Sequence, residues 1–194
     1  MTRKHTPTAG FFHCTLALVI TWILIGAPCL HAQKSGPTEN EVKSAYLYNF
    51  GKFVEWPAKA MSVGEFFTVC VLGDDNFGAT LETTIARESI DGKKVLVKRV
   101  ARPQDAVSCR ILFISSSQQS RVKEILADLD NTSVLTVSDM PEFSRYGGMI
   151  QFVVEANRVR FEVNLTSAER SGLTLSSQLL KVAINVKRST QPGG

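Results

Sequence analysis

The chain has 194 residues, 44% of them hydrophobic and 21% charged, with 22 Lys and Arg against 18 Asp and Glu. That length supports one ordinary domain with a core of its own. The net charge of +4 is scattered rather than blocked, which argues against nucleic acid or an anionic membrane surface as a partner.

Arg3, Lys4 and His5 give a cationic start, residues 11–27 an apolar run and Ala32 a small-residue exit. This is the layout of a signal peptide over residues 1–32, cleaved near Ala32, which directs the chain to the periplasm. A retained membrane anchor is the alternative, although a run of about 17 residues is at the lower edge of spanning length. Cys29 invites a lipoprotein reading, but Pro28 precedes it where a small residue is needed. Cleavage removes His5, His13 and His31, every histidine in the chain, together with Cys14 and Cys29. Taking Arg3 and Lys4 from the 22 basic residues leaves 20 against 18 acids.

Residues 33–40 read as a disordered polar lead, residues 41–188 as one α/β domain and residues 189–194 as a loose tail. Thr38 and Glu41 have the spacing of a capping box, and apolar residues from Val42 to Val54 follow at helical spacing until Pro57. Residues 58–64 read as a linker. A buried strand is expected over 66–72, a turn at 73–76 and a helix to about residue 88. The Asp91-Gly92 turn introduces a strand over 94–100, with further strands at 109–114 and 133–137 and a helix between them at 120–129. Strands separated by helices imply a mixed, mostly parallel sheet with helices on both faces. Residues 148–154 and 159–163 read as a C-terminal antiparallel hairpin. Thr166 to Glu169 looks like a second capping box for a short helix ended by Gly172. A final helix from Ser176 or Ser177 is expected to pack Leu179, Leu180, Val182, Ala183 and Val186.

Without histidine no Ser-His-Asp or Cys-His nucleophile can be assembled, and the commonest zinc shells are missing. Asp74 and Asp75 sit at a strand's carboxyl end, where α/β ligand sites lie. Adjacent acids on a turn seldom converge on one atom, so they read as a solvated helix start. Gly73 and Gly78 lack the spacing of a phosphate loop, and Ser115-Ser116-Ser117 reads as a helix cap. Trp56 reads as a packing wedge, and Gly147-Gly148 as a turn needing positive φ. Glu162 faces opposite to Phe161 and Val163, either as a solvated residue or as a partner contact. No catalytic, cofactor-binding or metal-binding residue is assigned. Cys70 and Cys109 fall on core strands of an exported chain and are expected to pair. The alternative is two buried thiols, and the CxxC spacing of redox catalysts is absent.

Particular residues resemble a family. The run from Ala45 to Pro57, AYLYNFGKFVEWP, is similar to the opening helix signature of YfiR-like periplasmic proteins. Cys70-Val71-Leu72-Gly73 and Cys109-Arg110-Ile111-Leu112-Phe113-Ile114 resemble its two central strands. Leu135 to Asp139, Gly147 to Ile150, Arg160 to Leu165, Ser171 to Leu173 and Ser176 to Ala183 continue the match in order, over residues 42–184. The resemblance implies an enzymatically silent α/β regulator that represses an inner-membrane diguanylate cyclase by binding its periplasmic sensor region. It further implies control by an OmpA-like outer-membrane lipoprotein, with cyclic di-GMP and biofilm formation as the output. It pairs Cys70 with Cys109 and places Phe161, Glu162 and Asn164 on the strand associated with repression. A homodimer is compatible with it, and no cofactor is implied. One departure stands out: the second cysteine pair of the best-known member has no counterpart in residues 140–152. The competing functional expectation is a periplasmic small-molecule binder feeding a sensor kinase or transporter through a strand-end crevice near Gly73 and Ser115. An enzyme using only carboxylates is the third.

Overall fold

The Thr38 hydroxyl accepts from the Glu41 amide while the Glu41 carboxylate accepts from the Thr38 amide at 2.7 Å, and this reciprocal cap starts the first helix. The computed structural model describes Thr2 and residues 36–61, 64–85 and 87–188. The expected signal peptide and its cleavage point, most of the polar lead and the tail after residue 188 therefore lie outside the described residues. Of the lead, Thr38 is extended and Glu39 and Asn40 already belong to the helix.

Helix α1 spans Glu39–Phe53 and is followed by the two-residue strand β1, Val54–Glu55. Then come α2 (Ala58–Met61), β2 (Phe67–Leu72), α3 (Thr80–Ile85), β3 (Ser89–Ile90) and β4 (Lys93–Val100). A 3₁₀ turn at Pro103–Ala106 leads to β5 (Ile111–Ile114), and a second at Ser116–Arg121 leads to α4 (Val122–Asp128). The chain continues with β6 (Leu135–Ser138), β7 (Ile150–Glu155), β8 (Arg158–Asn164), α5 (Leu165–Arg170), β9 (Thr174–Leu175), α6 (Ser177–Val182) and β10 (Asn185–Lys187).

Eight of these strands form one sheet in the order β10-β8-β7-β6-β5-β2-β4-β3. Neighbours run parallel except in the β7–β8 and β3–β4 hairpins. The result is the expected α/β architecture with a terminal antiparallel hairpin. Every residue of β2 is buried, as a central parallel strand covered on both faces must be. Period-two alternation divides its side chains between two cores. Val69 and Val71 join Leu47 and Phe50 of α1 and Leu81 and Ile85 of α3 on one face. Cys70 and Leu72 join Val122 and Ile125 of α4 on the other, together with Met140 and Phe143 from the segment after β6. Trp56 serves the first core, edge-on to Phe67 with ring centroids 5.3 Å apart. Gly51 makes this closeness workable, because a Cβ there would meet the Ile90 and Phe67 side chains.

Several local expectations are corrected by distant pairing. The first helix stops at Phe53, before Pro57, because Val54 and Glu55 pair antiparallel with Leu175 and Thr174. The expected linker holds the short helix α2. The helix expected before residue 88 is confined to Thr80–Ile85, since the Asp75 carboxylate accepts from the Phe77 amide and holds a turn there. Cys109 precedes β5 rather than opening it, its amide bonded to the Ala106 carbonyl at 2.8 Å. Val186 belongs to edge strand β10, not to the final helix, and Val182 is exposed.

The β7–β8 hairpin turns through Ala156 and Asn157, both at positive φ (47° and 60°), with Glu155 opposite Arg158. Two-residue turns of this hand favour Asn-Gly or Asp-Gly, and alanine at positive φ costs about 1–2 kcal/mol. Ala156→Gly is therefore expected to stabilise the protein by about 0.5–1 kcal/mol after the flexibility of glycine is subtracted. A higher denaturant midpoint at unchanged slope is the expected observation. A lower midpoint contradicts it.

Candidate functional site

Strand β8 carries Phe161, Glu162 and Asn164, which the family resemblance associates with repression, and its alternation separates them. Val159, Phe161 and Val163 face the first core, whereas Arg158, Arg160, Glu162 and Asn164 face the other way. Phe161 is fully buried. Its ring stands edge-on to Phe50 and Tyr46, at 5.1 and 5.3 Å, and Phe152 is its cross-strand partner. The side chain thus seats α1 on the sheet, and the expectation that it touches a partner directly is corrected by its burial.

Glu162 and Asn164 point into a polar clasp built around Ser144. The Ser144 hydroxyl lies 3.5 Å from a Glu162 carboxylate oxygen and accepts from the Lys187 ammonium at 2.9 Å. Lys187 is in turn 3.9 Å from the Glu162 carboxylate. The Ser144 amide donates to Gln151 Oε1 at 3.1 Å, and its carbonyl accepts from Asn164 Nδ2 at 3.0 Å. One buried serine thereby ties the segment after β6 to β7, β8 and β10. Asn164 also caps α5 in place of Thr166, because its Oδ1 accepts from the Ser167 amide. Its role in the fold is structural. Glu162 keeps a side chain that is 23% exposed, next to exposed Arg160 and Arg158 and half-exposed Val153 on the hairpin's outer face. Sequence reasoning missed Ser144, Gln151 and Lys187. Each is an ordinary polar residue locally, and only the register Gln151–Glu162–Asn185, with the segment after β6 folded against it, brings them together.

Cys70 and Cys109 are joined as a disulfide, with Cα atoms 6.0 Å apart and a sequence separation of 39. Both are buried, so the bridge is a staple between β2 and the turn before β5.

The strand-end crevice near Gly73 and Ser115 is filled. A Cβ on Gly73 would meet the Ser117 hydroxyl at 2.7 Å and the Gln118 side chain at 2.9 Å. Ser117 Oγ also accepts from the Asp74 amide, and Ser115 Oγ from the Ser117 amide. Asp75 is paired with Arg99 at 2.5 Å, so the two neighbouring acids do not converge. Beside this end of the sheet the Lys43 ammonium is buried between Glu39 and Asp139, at 2.6 and 2.7 Å. Burial by itself would lower the Lys43 pKa, but the hydrogen bonds and charges of the two carboxylates outweigh it and hold it above the ordinary value. Among the described residues, the strand end of the small-molecule expectation is thus occupied beside Gly73 by the Ser117 and Gln118 side chains.

Fold and clasp together define a small, disulfide-tied α/β domain that ends in a polar-faced hairpin. The chain belongs to the YfiR/HmsC-like family, whose model matches residues 40–184. Membership in that family points to a periplasmic regulator of cyclic di-GMP signalling. Among solved structures, a conserved domain protein from Vibrio cholerae is similar with a TM-score of 0.55 at 10% identity, over 77% of this chain and 60% of that one. At that identity the likeness concerns the fold alone, and the present chain spans about 60% of that protein's length. The ABC domain in complex with L-Trp from Streptococcus pneumonia superposes more loosely, with a TM-score of 0.46 at 14% identity over 62% of this chain and 55% of that one.

Proposed function

We propose that this protein is a non-catalytic periplasmic regulator. It binds the periplasmic sensor region of an inner-membrane diguanylate cyclase and holds the enzyme inactive, which keeps cyclic di-GMP and biofilm formation low. The observation that carries this reading is family membership across residues 40–184. The cationic start and apolar run of the leader support export, and the disulfide suits an oxidising compartment. The docking face in this reading is the outer side of the β7–β8 hairpin, where Glu162 and Arg160 provide charges of opposite sign beside Val153. Such a mixture fixes the orientation of a partner more than it adds raw affinity. An OmpA-like outer-membrane lipoprotein is the proposed antagonist, releasing the cyclase by capturing the regulator.

The test begins with the tagged protein recovered from crosslinked, solubilised envelopes. A stoichiometric inner-membrane protein carrying a diguanylate cyclase domain is expected, and deletion of the present gene should raise cyclic di-GMP and surface attachment. Recovery of no such partner, together with unchanged cyclic di-GMP, contradicts the proposal.

A further inference from the structure

Strand β4 is 8 residues long, but β3 covers only its start, with Ile90 opposite Lys93 and Ser89 opposite Lys94. On its other side β4 is joined to β2 from Val95 to Val100. Alternation along a strand fixes where its backbone groups point. The Val95 amide donates outward, to the Glu88 carbonyl at 3.1 Å. At the alternate positions that follow, Val97 and Arg99 turn their amides and carbonyls the same way, whereas Leu96, Lys98 and Val100 turn theirs toward β2. The phase is confirmed on β2 itself. The carbonyls of Thr68 and Leu72 accept from the Arg110 and Ser115 amides on the β5 side, which leaves Val69 and Val71 to β4. Among the described residues no backbone partner meets the outward groups of Val97 and Arg99, so this edge of the sheet is open.

The side chains beside the edge define what it can receive. Lys94 and Lys98 are exposed, and among the described residues neither ammonium has a hydrogen-bond or ion-pair partner. Between them Leu96 is half-buried and packs in neither core, and Val100 is half-buried on the same face. On the other face Arg99 is engaged by Asp75 and Glu82, so the free charge of the edge lies on the lysine face. Lysines on an edge strand guard it against pairing with another copy of itself, because like charges set across two strands repel. The same charges favour an acidic strand.

We propose that the open edge of β4 receives an extended segment of another protein as an added antiparallel strand, with an acidic side chain opposite Lys98 and apolar ones opposite Leu96 and Val100. Main-chain hydrogen bonds to Val97 and Arg99 supply the affinity, and the alternate side chains supply the selectivity. In the sheet order β6, β5 and β2 stand between the β7–β8 hairpin and β4. The added strand therefore leaves the proposed cyclase-docking face free.

The probe is the blocked peptide Ser-Val-Thr-Glu-Thr-Val-Ser, beside one version with lysine in place of glutamate and one with proline in place of both threonines, which lacks the two amides that would face β4. Titrated into the protein without residues 1–32 and followed by amide hydrogen exchange, the glutamate peptide is expected to bind saturably. It should slow exchange at Val97 and Arg99 at least tenfold and change little at Leu96 and Lys98, whose amides already face β2. The lysine and proline peptides should each bind at least tenfold more weakly. Lys98→Glu should reverse the preference, weakening the glutamate peptide and admitting the lysine peptide, with an unchanged melting curve. Glu162→Lys should leave peptide binding as it is, and a loss there would place the peptide on the hairpin and overturn the β4 site. Equal binding of the glutamate and lysine peptides, or no saturable binding, would also overturn it. So would protection of Val97 and Arg99 that rises with protein concentration in the absence of peptide, since a second copy would then occupy the edge.

Discussion

Replacing Lys43 with methionine is expected to destabilise the protein by about 3 kcal/mol, the lower end of the cost of breaking a buried ion pair. The side chain of Lys43 is 6% exposed and that of Asp139 19%, so methionine preserves the packing of the aliphatic stem and removes only the charge. What remains is a carboxylate already short of partners, because Asp139 Oδ1 is buried without a hydrogen bond among the described residues. Removing Lys43 strands the other oxygen as well. The double variant Lys43→Met/Asp139→Leu should recover most of the loss, since exchanging a whole buried pair for apolar groups is often neutral. A cycle in which the double variant is as unstable as the sum of the singles would show that the two residues are not coupled. The same pair has a pH signature. The folded-state pKa of Lys43 is raised above 10.5, so its contribution is fully present below that value. It is lost as pH climbs through the higher folded-state value. The wild type should therefore lose alkaline stability that Lys43→Met never had.

Removal of the disulfide is the second large effect. The bridge closes a loop spanning 39 sequence positions, which chain-entropy reasoning values at roughly 4 kcal/mol, with native strain usually reducing the measured figure to about 2–4. Cys70 and Cys109 lie in the core under α4, so a double alanine variant also loses buried sulfur. Its urea midpoint should fall by the amount corresponding to about 2–4 kcal/mol. Thiol titration of the unfolded, unreduced exported protein should detect no free thiol. Two titratable thiols per chain would refute the pairing.

Legibility in the sequence follows the range of the interactions. The capping box at Thr38 and Glu41 is read correctly because its partners are three residues apart. Residues 67–72 announce a central strand by a run that is apolar but for Thr68, and the hairpin announces itself by alternation on both sides of Ala156-Asn157. Failures begin where a distant partner overrides a local preference. Val54 continues the helical spacing, yet its conformation is set by Leu175. Thr166 and Glu169 form a plausible cap, but Asn164 takes the position, and its amide group is also bonded to the Ser144 carbonyl. Val186 has helical spacing from Val182 and lies instead beside Val163 as an edge strand. At the candidate site, Glu162 could be singled out because a charge interrupts an apolar strand. Ser144 and Lys187 could not, since no local pattern marks either. Lys43 and Asp139, 96 positions apart, are likewise visible only once the sheet brings them together.

Titration of the periplasmic domain of the proposed cyclase partner into the protein without residues 1–32, wild type beside Glu162→Lys, probes the proposed regulatory reading at its proposed docking face. The lysine reverses the charge on the hairpin face and also stands next to Lys187, so Glu162→Gln, which keeps size and hydrogen bonding toward Ser144, accompanies it with a melting curve for each. The wild type should bind saturably. Glu162→Lys should bind about thirtyfold more weakly, equivalent to about 2 kcal/mol, and Glu162→Gln at an intermediate strength with an unchanged melting curve. Identical isotherms for all three proteins, or no binding by the wild type, would refute the docking face and the regulation proposed through it.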